Sequence, residues 1–317
     1  MDKNAKIFVA GRGTLIGAAL LRELRRQGCA NVIDPRAEPD LTDAAAVEAF
    51  FERYAPAFVF LAGGKSGGIR TNQKYPADLM LNNLLLECHV ISSSHRHGAK
   101  KLLFLASSCT YPKHCPQPMQ VESLLAGPLE PTSEAYSVAK LAGVKLCQAY
   151  RQQHGANFIS GVLADVFGIE DKFSLEDSHV VPALIIKMHD AKERGLEHVD
   201  IWGTGNARRE LSFADDLANA CLLVMRDYNE AEPINIGVGV DVSIRELAEQ
   251  IKDVVGYSGE LRFDASKPDG APVKLLDSTR LRVMGWRART PLKSALAATY
   301  ERFVQITQCK ESASTMP

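Results

Sequence analysis

The sequence predicts an α/β protein built on a doubly wound parallel sheet, with a smaller C-terminal α/β lobe. Three observations predict it. Short apolar runs alternate with amphipathic stretches over the first half, the pattern of a parallel sheet covered on both faces. A glycine turn lies between the first apolar run and the first helix. After about Gly168 the rhythm loosens. Right-handed crossovers then make the doubly wound order the default topology.

The elements follow in order. Lys6–Ala10 (KIFVA) reads as a buried strand, Ile16–Gln27 as a helix with Leu20, Leu21 and Leu24 on one stripe, and Asn31–Asp34 as a second strand. Ala44–Tyr54 reads as a helix, Ala57–Ala62 as a third strand, and Leu79–Arg96 as a helix. Lys101–Ala106 reads as a fourth strand, Ser133–His154 as a long helix, and Phe158–Val162 as a fifth strand. Beyond Gly168, Val181–Ala191 is helical, Asp200–Ala207 is a short strand and turn, and Leu211–Arg226 returns to an apolar pattern. Pro233–Ile236 reads as a strand, and Ser243–Val255 as a helix opened by a Ser-x-x-Glu cap.

Composition narrows the class. The 317 residues are 46% apolar and 24% charged, ordinary for a chain with a sizeable core. A net charge of −1 argues against nucleic-acid or membrane surfaces acting through bulk charge, so a bound polyanion must meet a local cluster of Arg and Lys. The seven cysteines are odd in number and show no CxxC or zinc spacing. No disulfide framework and no metal site are therefore expected, and a reducing cytoplasm is. Neither a signal peptide nor a membrane span is read from the chain.

Gly11-Arg12-Gly13-Thr14-Leu15-Ile16-Gly17 follows the first strand and opens the first helix. Glycines there permit a tight turn and close approach of backbone to a pyrophosphate, while the helix N-terminus supplies free N–H groups. The expectation is a Rossmann-type dinucleotide site. An acid at the end of the second strand suits a free ribose 2′-hydroxyl, and arginine suits a 2′-phosphate. The chain offers both, Asp34 against Arg12 and Arg36. Two guanidiniums can hold a phosphate bidentately, which favours NADP. The nucleotide domain is then 1–168, with a segment near 211–240 returning to it. The substrate lobe is mainly 169–308, and 309–317 is a flexible tail.

Tyr136-Ser137-Val138-Ala139-Lys140 is the sharpest chemical signal. Tyr and Lys four apart share a helix face, and an ammonium beside a phenol favours the phenolate. Ser107 directly follows the fourth strand, where an open parallel sheet places its ligand crevice. Ser107, Tyr136 and Lys140 thus resemble the triad of short-chain dehydrogenases. That resemblance implies that Ser107 bonds a substrate carbonyl, Tyr136 donates a proton, and Lys140 tunes Tyr136 and holds the nicotinamide ribose. The family usually shows Gly-x-x-Gly-x-x-Gly; here the middle glycine is displaced to Gly13.

Further stretches are more specific. Ser107–Pro112 (SSCTYP), Lys65 with Gly67-Gly68-Ile69, Tyr75-Pro76-Ala77-Asp78 and Leu129-Glu130-Pro131-Thr132 resemble the GDP-L-fucose synthase family. So do Ser178–Ala183 (SHVVPA), Trp202-Gly203-Thr204-Gly205 and Asp264–Leu276. The resemblance runs from the glycine turn to Trp286. It implies an enzyme that epimerises C3 and C5 of GDP-4-keto-6-deoxymannose and reduces C4 with NADPH. The 4-keto group acidifies both neighbouring carbons, so one acid/base pair can serve both. Cys109 matches the family's base and His179 its acid. A cysteine serves so when nearby cations favour its thiolate; otherwise it is a small buried hydrophobe. Lys187, Arg209 and Lys274 match the positions that hold the diphosphate, and Trp202 one at the nucleotide end. Ser108 falls at the substrate, and Asp165, Val166 and His179 at the cofactor. A homodimer is also implied, with Leu79–Arg96 and Ser133–His154 as candidate interface helices.

The chain departs from the family after the fifth strand. Pro-Thr-Asn is usual; here Leu163-Ala164-Asp165 stands. An amide donates and accepts, whereas a carboxylate only accepts. Val273 also replaces a basic residue beside Lys274. These departures keep open a relative acting on another GDP-4-keto sugar, such as a dideoxy hexose or heptose. A non-catalytic NADP-binding regulator is the reading from another class, and the intact Ser107, Cys109, Tyr136, Lys140 and His179 argue against it.

Overall fold

The computed structural model describes residues 2–174, 178–267 and 269–314, the side chains of 310–314 excepted. Its strands are β1 (Ile7–Ala10), β2 (Phe58–Leu61), β3 (Lys101–Ser107), β4 (Phe158–Leu163), β5 (Asp165–Phe167), β6 (His198–Trp202), β7 (Arg208–Arg209), β8 (Leu211–Phe213), β9 (Ile234–Ile236), β10 (Val242–Ser243), β11 (Glu260–Asp264) and β12 (Val273–Lys274). Its helices are α1 (Leu15–Arg26), α2 (Ala44–Tyr54), α3 (Ile69–Lys74), α4 (Pro76–Arg96), α5 (Glu134–His154), α6 (Val180–Glu193), α7 (Ala214–Asp227), α8 (Ile244–Val255), α9 (Thr279–Val283) and α10 (Leu292–Ser314).

The central sheet is parallel, in the order β1-β2-β3-β4-β9. Its side chains alternate between two cores, as the two-residue strand period requires. Ile7, Val9, Leu103 and Leu105 point to a core shared with Leu20 and Leu24 of α1 and Leu217 and Cys221 of α7. Phe8, Ala10, Leu102 and Phe104 point to the other, shared with Phe50 and Phe51 of α2, Leu86 and Val90 of α4 and Val144 of α5. Each large side chain so buried contributes roughly 1.5–3 kcal/mol. Burial on both faces explains why these strands read as unbroken apolar runs.

The strand expected at Asn31–Asp34 is reduced to one parallel bridge between Val32 and Ile7. Asp34 accepts the Arg36 amide at 2.9 Å, and Pro35, with no N–H to give a ladder, opens a 3₁₀ turn. Val32 still flanks β1 on the side away from β2. Strand order therefore reverses at β1, the place where open α/β sheets bind ligands.

A third core joins α6, α8 and α10 to the parallel pair β6 and β11, through Leu184, Ile185, Leu247, Ile251, Leu296 and Phe303. Ser243 caps α8 through a reciprocal box: its hydroxyl accepts the Glu246 amide at 3.1 Å, and Glu246 accepts the Ser243 amide at 2.7 Å. β7 pairs with β12 and β10, and β5 with β8. The stretch expected as a flexible tail from 309 is helical as far as Ser314; 315–317 lie outside the described residues.

Candidate active site

The glycine turn is built for a close neighbour. Gly11 has φ +100°, and a Cβ there would stand 2.3 Å from Gly63 Cα. A Cβ on Gly17 would stand 2.0 Å from the Gly11 carbonyl oxygen. At Gly13 nothing lies within 4 Å. The outer two glycines are steric necessities and the displaced middle one is not, so the irregular spacing leaves the turn intact. Thr14 caps α1, its hydroxyl accepting the Gly17 amide at 3.0 Å. Gly11, Gly13, Thr14, Glu38, Gly63 and Gly64 help line a cavity of about 310 Å³ beside this turn. That cradle fits a dinucleotide.

Sequence reasoning missed Glu38. Its carboxylate accepts the Gly11 and Arg12 amides and pairs with the Arg12 guanidinium at 3.2 Å. Burial raises its pKa, and those hydrogen bonds oppose the rise. Arg36 is exposed and paired with Asp34 at 2.6 Å, which brings the Asp34 carboxyl down to about 2. Arg12 contributes to the same effect, so the two guanidiniums share one neighbourhood. Each already faces a carboxylate.

Ser107 ends β3, and a 3₁₀ turn over Ser108–Thr110 follows, with Thr110 bonding the Ser107 carbonyl at 2.7 Å. Tyr136 and Lys140 lie on α5, and the Ser107 hydroxyl lies near enough to the Tyr136 phenol to draw its pKa down. Lys140 is buried. Its ammonium lies 3.0 Å from the Glu87 carboxylate of α4 and donates to the Gly63 carbonyl at 3.2 Å. The expected lowering of the phenol by Lys140 is not found. Tyr136 is held above the ordinary tyrosine value, first by burial, then by Cys109 and Glu87; Ser107 pulls the other way.

Cys109, Ser108, Asp165, Arg209 and Lys274 converge, although four separate segments supply them. Parallel pairing of β7 with β12 sets Arg209 beside Lys274. The Lys274 ammonium lies 3.2 Å from Cys109 Sγ and 3.8 Å from the Asp165 carboxylate. Asp165 lies 4.0 Å from Arg209 and 3.4 Å from the Ser108 hydroxyl. Burial alone would raise the Asp165 carboxyl; Lys274 and Arg209 outweigh it, and Asp165 stays below the usual carboxylate range. His179 is the N-cap residue of α6. The residue is exposed, yet the protein around it displaces enough water to lower its pKa, against the pull of Asp165. Val166, beside Asp165 on β5, packs on the core beneath α1.

Lys187 and Trp202 form a separate group. Lys187 donates to the Asp200 carbonyl at 2.9 Å, and burial lowers its pKa. Trp202 is exposed, with the Arg70 guanidinium 4.4 Å from its ring centre. Arg209 is drawn toward the chain itself, donating to the Ala271 and Asp269 carbonyls at 2.6 and 3.0 Å. Among the described residues no cluster of His, Cys, Asp and Glu suits a metal ion, and no helix is long and apolar enough to cross a membrane.

Comparison with known proteins follows the same lines. Residues 7–237 match the model of the NAD dependent epimerase/dehydratase family. The chain is 50% identical to GDP-L-fucose synthase 1 of Arabidopsis thaliana over 96% of its length and 94% of that protein's. It is 43% identical to the GDP-L-fucose synthase of Escherichia coli K12, over 95% and 97% of the two chains. A GDP-mannoheptose C4 reductase from Campylobacter jejuni, solved with NADP bound, is 34% identical and superposes with a TM-score of 0.86 over 96% of this chain and 99% of that one.

Proposed function

The chain belongs to the NAD dependent epimerase/dehydratase family and, within it, to the GDP-L-fucose synthases, and on that premise we propose that it converts GDP-4-keto-6-deoxy-D-mannose to GDP-L-fucose. The observation that carries the reading is the meeting of two chemical groups at the carboxyl edge of the sheet: Ser107 with Tyr136, and Cys109 with Lys274.

Epimerisation comes first. Cys109 removes the protons from C3 and C5, which the 4-keto group makes acidic. The Lys274 ammonium stands against the Cys109 sulfur, 3.2 Å away. His179 returns protons from the opposite face. Ser107 then holds the C4 carbonyl and Tyr136 gives its oxygen a proton. A nicotinamide dinucleotide held at the glycine turn supplies the hydride. NADP is the cofactor of this reading, because Arg12 and Arg36 stand together at the end of the β1 neighbourhood where a 2′-phosphate is met. Lys274 and Arg209, with Lys187 and Trp202 further out, suit the diphosphate and base.

We place the enzyme in the cytoplasm as a homodimer using α4 and α5; sedimentation at 34.6 kDa rather than twice that mass would contradict the dimer. Tyr136→Phe and Cys109→Ser test the division of labour. Tyr136→Phe should lose NADPH oxidation by at least about 100-fold while still binding NADPH. Cys109→Ser should lose solvent-deuterium exchange at C3 and C5. Exchange at the wild-type rate in Cys109→Ser, or unchanged turnover in Tyr136→Phe, contradicts the assignment.

A further inference from the structure

Glu87 is an acid in the centre of the protein. It lies on α4, 1% exposed on its side chain, 3.0 Å from the Lys140 ammonium. Its two oxygens find no further partner among the described residues. The opposing helix is cut to admit it. A Cβ on Gly143 of α5 would stand 2.6 Å from Glu87 Oε2 and 2.4 Å from the Phe104 ring. Glycine inside a helix is unfavourable relative to alanine, and here it leaves the space a carboxylate fills. Phe104 completes the box, its ring centre 5.1 Å from the Lys140 nitrogen, with the Gly63 carbonyl on the remaining side.

Stability does not explain this arrangement. A well-packed apolar pair of similar volume commonly serves a core as well as a buried ion pair, because desolvating both charges is costly. Burial raises the Glu87 carboxyl and the Lys140 ammonium opposes that rise; what the carboxyl does is face the lysine that shares a helix face with Tyr136.

We propose that Glu87 is a positioning residue of the reductase site, holding the Lys140 ammonium from α4 on the helix face that it shares with Tyr136. This rests on the reductase reading above. The titratable groups within its influence are Lys140, Tyr136 and Cys147 on α5 and Cys88 beside it on α4. Glu87 raises the Tyr136 phenol, and burial raises it more. A phenol that must donate a proton loses activity as pH climbs through its pKa. Removing the negative charge lowers that pKa, so the alkaline limb of the rate moves to lower pH.

The experiment is the pH profile of kcat for NADPH oxidation in wild type, Glu87→Asp and Glu87→Gln. Glu87→Gln should move the alkaline limb down by about one pH unit, the scale set by a single nearby charge. Glu87→Asp, which keeps the charge but draws it back by one methylene, should move it by less in the same direction. Limbs that coincide while kcat falls evenly, or that move upward, overturn the proposal. Phenolate absorbance, taken as the difference between each protein and its Tyr136→Phe counterpart, reads the same shift with no substrate present. If wild type oxidises no NADPH, the reductase reading falls, and the absorbance titration still decides the role of Glu87.

Discussion

At Asp165 a single carboxylate faces two cations. The carboxylate lies 3.8 Å from Lys274 and 4.0 Å from Arg209, the two cations that adjacent strands bring together. It is ionised at neutral pH, since those cations hold it below the usual carboxylate range. A diphosphate arriving at the pair competes with it. Asp165→Asn should therefore lower the KM for the GDP-sugar by up to about tenfold, or ~1.4 kcal/mol. The effect should persist through neutral pH and fade as acid protonates the wild-type carboxyl. Steady-state kinetics check this; a raised KM would mean that Asp165 binds substrate rather than restraining its ligands. Tyr136 and Lys140 were legible because a four-residue spacing on a helix is a face. Glu87 was not: in LLLECHV a glutamate reads as the wet side of an amphipathic turn, and only the α4–α5 contact makes it an interior acid.

Among elements, the glycine turn shows how far spacing can be trusted. The sequence marks three glycines, and the structure requires two. Gly11→Ala places a methyl 2.3 Å from the Gly63 backbone in a left-handed residue, whereas Gly13→Ala enters open space. Fluorescence titration should find NADPH binding lost or weakened by about 100-fold in Gly11→Ala and kept within about threefold in Gly13→Ala. Equal losses would contradict the steric account. Strands buried on both faces were readable as apolar runs. The strand expected at Asn31–Asp34 did not form because Pro35 takes the chain out of the sheet after one bridge. The two-residue strands β7 and β12 carry no periodicity, and they are the ones that deliver Arg209 and Lys274. Only the family resemblance pointed to those residues.

For the molecule as a whole, the groups to which the proposed function gives the chemistry come from separate stretches of one chain. β3 and α5 supply Ser107 and Tyr136, while β5, β7, β12 and the start of α6 supply the charged group around Cys109. The central sheet and the helix packed on it carry the first set, and later segments bring the second to the carboxyl edge. The thiol beside its cation and the phenol beside Ser107 are the two groups to which the proposed function gives proton transfer. The direct test mixes purified protein with GDP-4-keto-6-deoxy-D-mannose and either NADPH or NADH, follows cofactor absorbance, and identifies the product by NMR. Consumption of NADPH in preference to NADH, with GDP-L-fucose as product, is the predicted result. A 4-reduced sugar that keeps the original configuration at C3 and C5, or no consumption of either cofactor, would contradict it.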